Sequence, residues 1–262
     1  MISDGIGRYQ KPVRRLVRPL ALRLWDLRVE GLDNVPRTGP AVLCPNHAAA
    51  IDSFLLPIVL DRDLIYVGKS DYLDDWKTRW LFPALGMIPI DRRGGEHATA
   101  ALDTARRVLE GGGLFGIYPE GTRSRSGKLH KGHTGAARLA VETGAPIVPI
   151  GLIGTADIQP VDRVIPKFGL PVTIRFGRPI AVQRYTSRIG DRAMYRQLTD
   201  EIMYEIQQLT GLDYEPTYAG AEAPAEPSEP APVPEATIGR VSSRDVLEPV
   251  PARTLDEVLT GG

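Results

Sequence analysis

Short apolar runs recur along this chain, and helical patterns fall between many of them. The runs are Ala41-Val42-Leu43-Cys44, Leu64-Ile65-Tyr66-Val67, Met87-Ile88-Pro89-Ile90, Leu114-Phe115-Gly116-Ile117-Tyr118, Ile147-Val148-Pro149-Ile150 and Val172-Thr173-Ile174-Arg175-Phe176. Runs this short, bounded by Gly, Pro and Asp, read as strands buried on both faces. Helical spacing is expected over residues 74–82, 96–110, 134–143 and 191–209, with Gly111-Gly112-Gly113 stopping the second and Gly144 the third. Strands alternating with helices predict a layered α/β fold with a mixed or largely parallel sheet flanked by helices. Pro149 suggests an edge or a strand end.

Chemistry is expected where those runs end. After the run 41–44 comes Pro45-Asn46-His47-Ala48-Ala49-Ala50-Ile51-Asp52, a strand-to-helix junction of the kind where open α/β sheets bind ligands. Five residues on a regular helix turn the chain by about 500°, which would leave the two side chains about 140° apart. His47 must therefore sit in the turn and Asp52 near the helix start if they are to meet. An imidazole held by a carboxylate through one nitrogen can take a proton with the other. Taken alone, the pair also fits a helix-capping Asp beside an ordinary loop His. The three alanines leave room for a substrate.

The formal charge is zero but uneven: 29 basic and 24 acidic residues up to 215, three basic and eight acidic from Pro216 on. A mildly basic body suits an anionic membrane surface or a phosphorylated substrate, and no nucleic-acid module is visible. Residues 216–262 hold eight prolines and one aromatic, Tyr218, and are expected to be disordered. Residues 1–28 read as a basic amphipathic helix, with Arg8, Lys11, Arg14, Arg15, Arg18, Arg23 and Arg28 among Leu, Val and Trp25. Such a helix lies in a bilayer interface or packs its Leu face on the domain. Residues 29–215 then form the main domain. No run approaches the ~18 apolar residues of a spanning helix, and no signal peptide is recognisable. Cys44 is the only cysteine, so no internal disulfide can form. A peripheral protein on the cytoplasmic side of a membrane is expected.

Two further run ends deliver charge. Gly86-Met87-Ile88-Pro89-Ile90-Asp91-Arg92 places an arginine past a strand, and Tyr118-Pro119-Glu120-Gly121-Thr122-Arg123-Ser124 a carboxylate, a hydroxyl and an arginine. Arginine matches phosphate through paired N–H donors. Arg92, Arg123 and Lys131 would form an anion pocket beside His47, although each alone also fits a surface salt bridge.

In order and spacing, these segments resemble the four motifs of the 1-acylglycerol-3-phosphate acyltransferases. Asn46, His47 and Asp52 match the first, and Gly86, Ile88, Asp91 and Arg92 the second. Residues 118–124 match the third, with Tyr118 in place of Phe, and Val148-Pro149-Ile150 the fourth. The resemblance covers about residues 29–178 and implies a glycerolipid acyltransferase-like fold. It also implies transfer of a fatty acyl group from acyl-CoA or acyl carrier protein to the hydroxyl of a lysophospholipid. His47 would be the base, oriented by Asp52; Arg92 and Arg123 would hold phosphate, with Glu120, Gly121 and Thr122 shaping the pocket and Lys131 beside it. Backbone N–H groups near the helix start would receive the oxyanion. No metal or cofactor is expected, since His130 and His133 have no companion ligands. Glycerol 3-phosphate, another lysophospholipid or a glycolipid are alternative acceptors. A thioesterase or lipase using Cys44 or a serine is a different class, without the Gly-x-Ser-x-Gly elbow that would support it. A non-catalytic membrane-binding protein is a third, which intact His47 and Asp52 argue against.

Overall fold

All five residues of the run Ala41–Pro45 are buried, and their side chains alternate between two cores. Val42 and Cys44 pack with Phe115, Leu139 and Ile202, while Ala41 and Leu43 pack with Leu55, Leu114 and Ile150. A strand apolar on both faces belongs in the middle of a sheet covered on both sides. The computed structural model describes residues 9–69, 86–90, 95–160, 163 and 165–220. The expected helix at 74–82, Arg92 and the tail from 221 onward lie outside these residues.

The strands are β1 (Asp26–Glu30), β2 (Ala41–Pro45), β3 (Leu64–Lys69), β4 (Met87–Ile90), β5 (Leu114–Gly116), β6 (Leu129–His130), β7 (Ile147–Ile153), β8 (Pro171–Phe176) and β9 (Tyr214–Glu215). Seven of them form one sheet in the order β1-β8-β7-β2-β5-β3-β4. Every neighbouring pair runs parallel except β7 and β8. The largely parallel, mixed sheet expected from the alternating pattern is therefore present. Helices α3 (Gly95–Glu110), α4 (Gly135–Thr143) and α6 (Arg192–Thr210) cover one face. On the other face lie α1 (Gln10–Leu24), α2 (Asp52–Val59) and the short α5 (Thr155–Ile158).

Two elements depart from expectation. Pro149 lies inside β7, between β8 and β2, and not at an edge. It fits because the β8 ladder begins only at Ile150–Phe176, while Ile147 pairs separately with Ile180. The position that lacks an N–H falls in the gap between them. The N-terminal helix is the second case. It ends at Leu24, because Asp26–Glu30 pairs with β8. It turns Gln10, Arg14 and Ala21 inward and leaves Leu16, Leu20 and Leu22 exposed. The Gln10 amide donates to Leu64 C=O at 2.6 Å and accepts from Leu64 N–H at 2.9 Å. Arg14 donates to Pro57 C=O and pairs with Asp63. Polar bonds thus fix the inner face, where the second of the two readings of this helix would have placed its leucines.

Candidate active site

His47 is held from four directions. Its Nδ1 lies 3.0 Å from Asp52 Oδ2. Its N–H donates to Glu120 Oε1 at 2.9 Å, and its C=O accepts from Ser124 N–H at 2.7 Å. Its ring stacks on Tyr118 with centroids 3.9 Å apart and planes 18° apart. A carboxylate only accepts, so the Nδ1 atom carries the proton and Nε2 presents a lone pair. Nε2 has no hydrogen-bond partner among the described residues, and the side chain keeps 14% exposure. That arrangement leaves a fixed imidazole with one nitrogen open and able to accept a proton.

The local chain explains why the pair meets. Asp52 is the first residue of α2 and is fully buried. Its Oδ2 also accepts from Ala48 and Ala49 N–H, each at 2.8 Å, which folds the turn back over the helix start. The turn is pinned on its other side by Asn46, whose amide brackets Leu152 of β7 at 3.0 and 2.7 Å. Ile51 N–H donates to Gln159 Oε1 at 2.7 Å. The amides of Ala48, Ala49 and Ile51 are therefore occupied and are not the expected oxyanion donors.

Glu120 is 1% exposed, and each of its oxygens takes one backbone N–H, from His47 and from His130. Burial, opposed by those two bonds and assisted by the Asp52 charge, raises its pKa to about 7. Tyr118 reaches past the imidazole to Ser53, hydroxyl to hydroxyl at 3.1 Å. Burial first, then the Asp52 charge, raises the Tyr118 pKa well above its usual value, so the phenol stays protonated. Ser53 in turn lines a cavity of about 410 Å³ with Ile51, Phe54, Val13, Val17 and Trp25. Nearly all of that lining is apolar, and two of its residues flank Asp52 directly.

These features sit at the carboxyl ends of β2 and β5, adjacent parallel strands. A family model described as Acyltransferase matches residues 26–153, which contain His47, Asp52, Ser53, Tyr118, Glu120 and Ser124 but not Gln159 or the cavity residues Val13, Val17 and Trp25. That segment, just under half of the chain, matches the acyltransferase family. It is 30% identical over 159 residues to the chloroplast 1-acyl-sn-glycerol-3-phosphate acyltransferase LPAT1 of Arabidopsis thaliana, covering 57% of this chain and 44% of that protein. It is also 30% identical over 159 residues to the 1-acyl-sn-glycerol-3-phosphate acyltransferase of Borreliella burgdorferi, covering 59% and 63%. The chain thus spans less than two thirds of the length of either relative. The crystal structure of the 1-acyl-sn-glycerophosphate acyltransferase PlsC from Thermotoga maritima shares the fold, with a TM-score of 0.61 and 22% identity over 76% of this chain and 80% of that one. The motif resemblance to this acyltransferase family is borne out.

Within the acyltransferase domain the expected pocket residues divide into two kinds. Arg123 is half-buried and has no ion pair or hydrogen bond among the described residues. The half-buried Lys131 likewise has no carboxylate on its ammonium, which lies 5.4 Å above the Tyr218 ring. Among the described residues, these two cations have no counter-charge. Thr122, just before Arg123, is half-buried, and Gly121 holds φ +75°, where a Cβ would come within 2.9 Å of the His133 ring. Glu120, by contrast, has both oxygens engaged by the backbone. Arg92 lies outside the described residues, although β4, which leads to it, is in register with β3 as far as Lys69–Ile90.

Sequence reasoning missed the stack on Tyr118 and its bond to Ser53. The one signal was the Tyr in place of the family's Phe, a hydroxyl added where a buried ring was expected. It also missed the chain after α6: Leu129 N–H bonds Asp213 C=O, and β6 pairs with β9. Ordered contacts there run on to Tyr218, past the change of composition at Pro216.

Proposed function

We propose that this acyltransferase moves a fatty acyl group from acyl-CoA or acyl carrier protein to the free hydroxyl of 1-acyl-glycerol 3-phosphate, giving phosphatidic acid. The observation that carries the reading is His47, fixed on four sides with Nε2 open. The Nε2 atom takes the proton from the acceptor hydroxyl as its oxygen attacks the thioester carbonyl. Asp52 stabilises the imidazolium that forms. Collapse of the tetrahedral intermediate breaks the C–S bond, and the proton passes from His47 to the departing thiolate. Neither metal nor redox chemistry enters these steps.

Three further observations support the assignment. Arg123 and Lys131 offer uncompensated positive charge for the acceptor phosphate. The apolar cavity beside Asp52 is in the size range of small-ligand sites and suits an acyl chain. Cys44 is wholly buried in β2, and burial pushes its thiol pKa up, which disfavours a covalent acyl-enzyme at that residue.

A bilayer surface fits the outer side of α1. Leu16 is 77% exposed and Leu20 53%, with Lys11, Arg15 and Arg23 around them. Among the described residues no helix is long and apolar enough to cross a membrane. Acyl transfer by the purified protein tests the assignment, with lysophosphatidate, glycerol 3-phosphate and an uncharged monoacylglycerol offered in parallel and His47→Ala as control. Ester from lysophosphatidate, absent in the control, is the expected result. Equal use of the uncharged acceptor removes the phosphate pocket, and ester formation surviving in the control removes the base.

A further inference from the structure

The family match ends at residue 153, yet the segment that follows α6 returns to the phosphate-binding loop sixty residues later. Thr217 C=O accepts from Lys131 N–H at 3.0 Å, and His130 Nδ1 lies 3.3 Å from the same oxygen. Lys128 pairs with Glu215 at 3.2 Å. These bonds run along one strap, Asp213 to Gly220, laid beside the loop from Pro119 to His133. The strap passes Thr122 as well, since a Cβ on Gly220 would lie 3.7 Å from its methyl group.

Tyr218 is where the strap meets the pocket residues. Its ring stacks on His133, with centroids 4.5 Å apart and planes at 14°. His133 in turn packs against Gly121, where a Cβ would approach its ring to 2.9 Å. The other partner of the Tyr218 ring is the Lys131 ammonium. An aromatic face attracts a cation without neutralising it, whereas a carboxylate in the same place would compete with a phosphate. A lysine stem has four rotatable bonds, and a ring under its end reduces the positions it samples.

We propose that Tyr218 is a positioning residue of the acceptor pocket: it holds Lys131 and the His133–Gly121 stack at the pocket rim, so that Lys131 and Arg123 together receive a phosphate monoester headgroup. The inference rests on the phosphate-acceptor reading above and adds to it a residue from outside the matched family region. The strap also bears on the base, because His130, paired with β9 through β6, donates its N–H to Glu120, which holds His47.

Steady-state kinetics on the full chain test this, with lysophosphatidate and acyl-CoA varied in turn. Tyr218→Ala is expected to raise KM for lysophosphatidate about fivefold, leaving kcat and KM for acyl-CoA near the wild-type values. Tyr218→Phe keeps the ring and is expected to match wild type. In a Lys131→Gln background, which raises the same KM by itself, Tyr218→Ala is expected to add little. An unchanged KM in Tyr218→Ala overturns the proposal. So does a loss that Phe fails to restore, or one that appears in full without Lys131. Wild-type preference for an uncharged monoacylglycerol is a separate result, and it overturns the acceptor reading itself.

Discussion

Two buried carboxylates hold one histidine, and they do so differently. Asp52 gathers its bonds on Oδ2, which takes the imidazole and two amides from the turn just before it. Glu120 divides its bonds, one oxygen to His47 N–H and the other to His130 N–H. Asp52 fixes the tautomer and ring of a residue five positions away. Glu120 fixes the backbone of a residue 73 positions away and ties it to β6. The comparison teaches that a histidine proposed as a base receives two kinds of support. One acts on the ring and its tautomer, the other on the peptide that carries it.

Substitutions separate the two roles. Asp52→Asn leaves a neutral acceptor that cannot balance the imidazolium, and kcat is expected to fall about 10³-fold, nearly as far as in His47→Ala. Glu120→Gln turns one oxygen into an NH₂ facing a backbone N–H, leaving that donor unpaired. That is expected to destabilise the fold by roughly 1–3 kcal/mol and lower kcat about tenfold, read by thermal melting and by rate. If Glu120→Gln instead raised only KM for lysophosphatidate, the carboxylate would be a substrate contact and the comparison would fail.

Smaller effects sharpen the picture. Tyr118→Phe keeps the stack on His47 and removes the bond to Ser53, with an expected loss of a few-fold in kcat, about one hydrogen bond's worth. Tyr118→Ala, which frees the imidazole face, is expected to lose more. Folded Glu120 keeps its proton up to about 7, whereas the unfolded chain releases it near the usual 4.5. Across that window the folded state binds more protons, so this residue's contribution to stability falls as pH rises. Urea midpoints measured between those two pH values are expected to decline more in wild type than in Glu120→Gln. On the outer face of α1, Leu16→Glu with Leu20→Glu is expected to reduce flotation with anionic vesicles without changing the melting temperature, since neither side chain packs inward.

What could be read from the sequence follows the range of the contacts. His47 and Asp52 are separated by one turn, and the strand before them and helix after them restrict how that turn closes. The sheet was legible for the same reason: runs such as Ala41–Cys44 and Leu64–Val67 are apolar nearly throughout and suit strands buried on both faces. Glu120 was legible as a motif residue but not as a backbone brace, because its partners are amides that any sequence supplies. The strap was hidden more deeply. Asp213 to Gly220 bonds through its main chain, the Glu215 carboxylate and one aromatic, in a stretch whose composition shifts toward Pro, Ala and Glu. Pro149 misled in the opposite direction, since only the register of β8 shows where its missing N–H falls.

The central claim is direct transfer, with His47 Nε2 activating the acceptor and no acylated protein on the way. The most direct test mixes the full chain with excess long-chain acyl-CoA and follows thiol release on the millisecond scale, with and without lysophosphatidate. Release that requires the acceptor, equals the phosphatidic acid formed and leaves no acyl label on the protein is the predicted result. A burst of thiol matching the enzyme concentration in the absence of acceptor, with the label bound covalently to the chain, would contradict it.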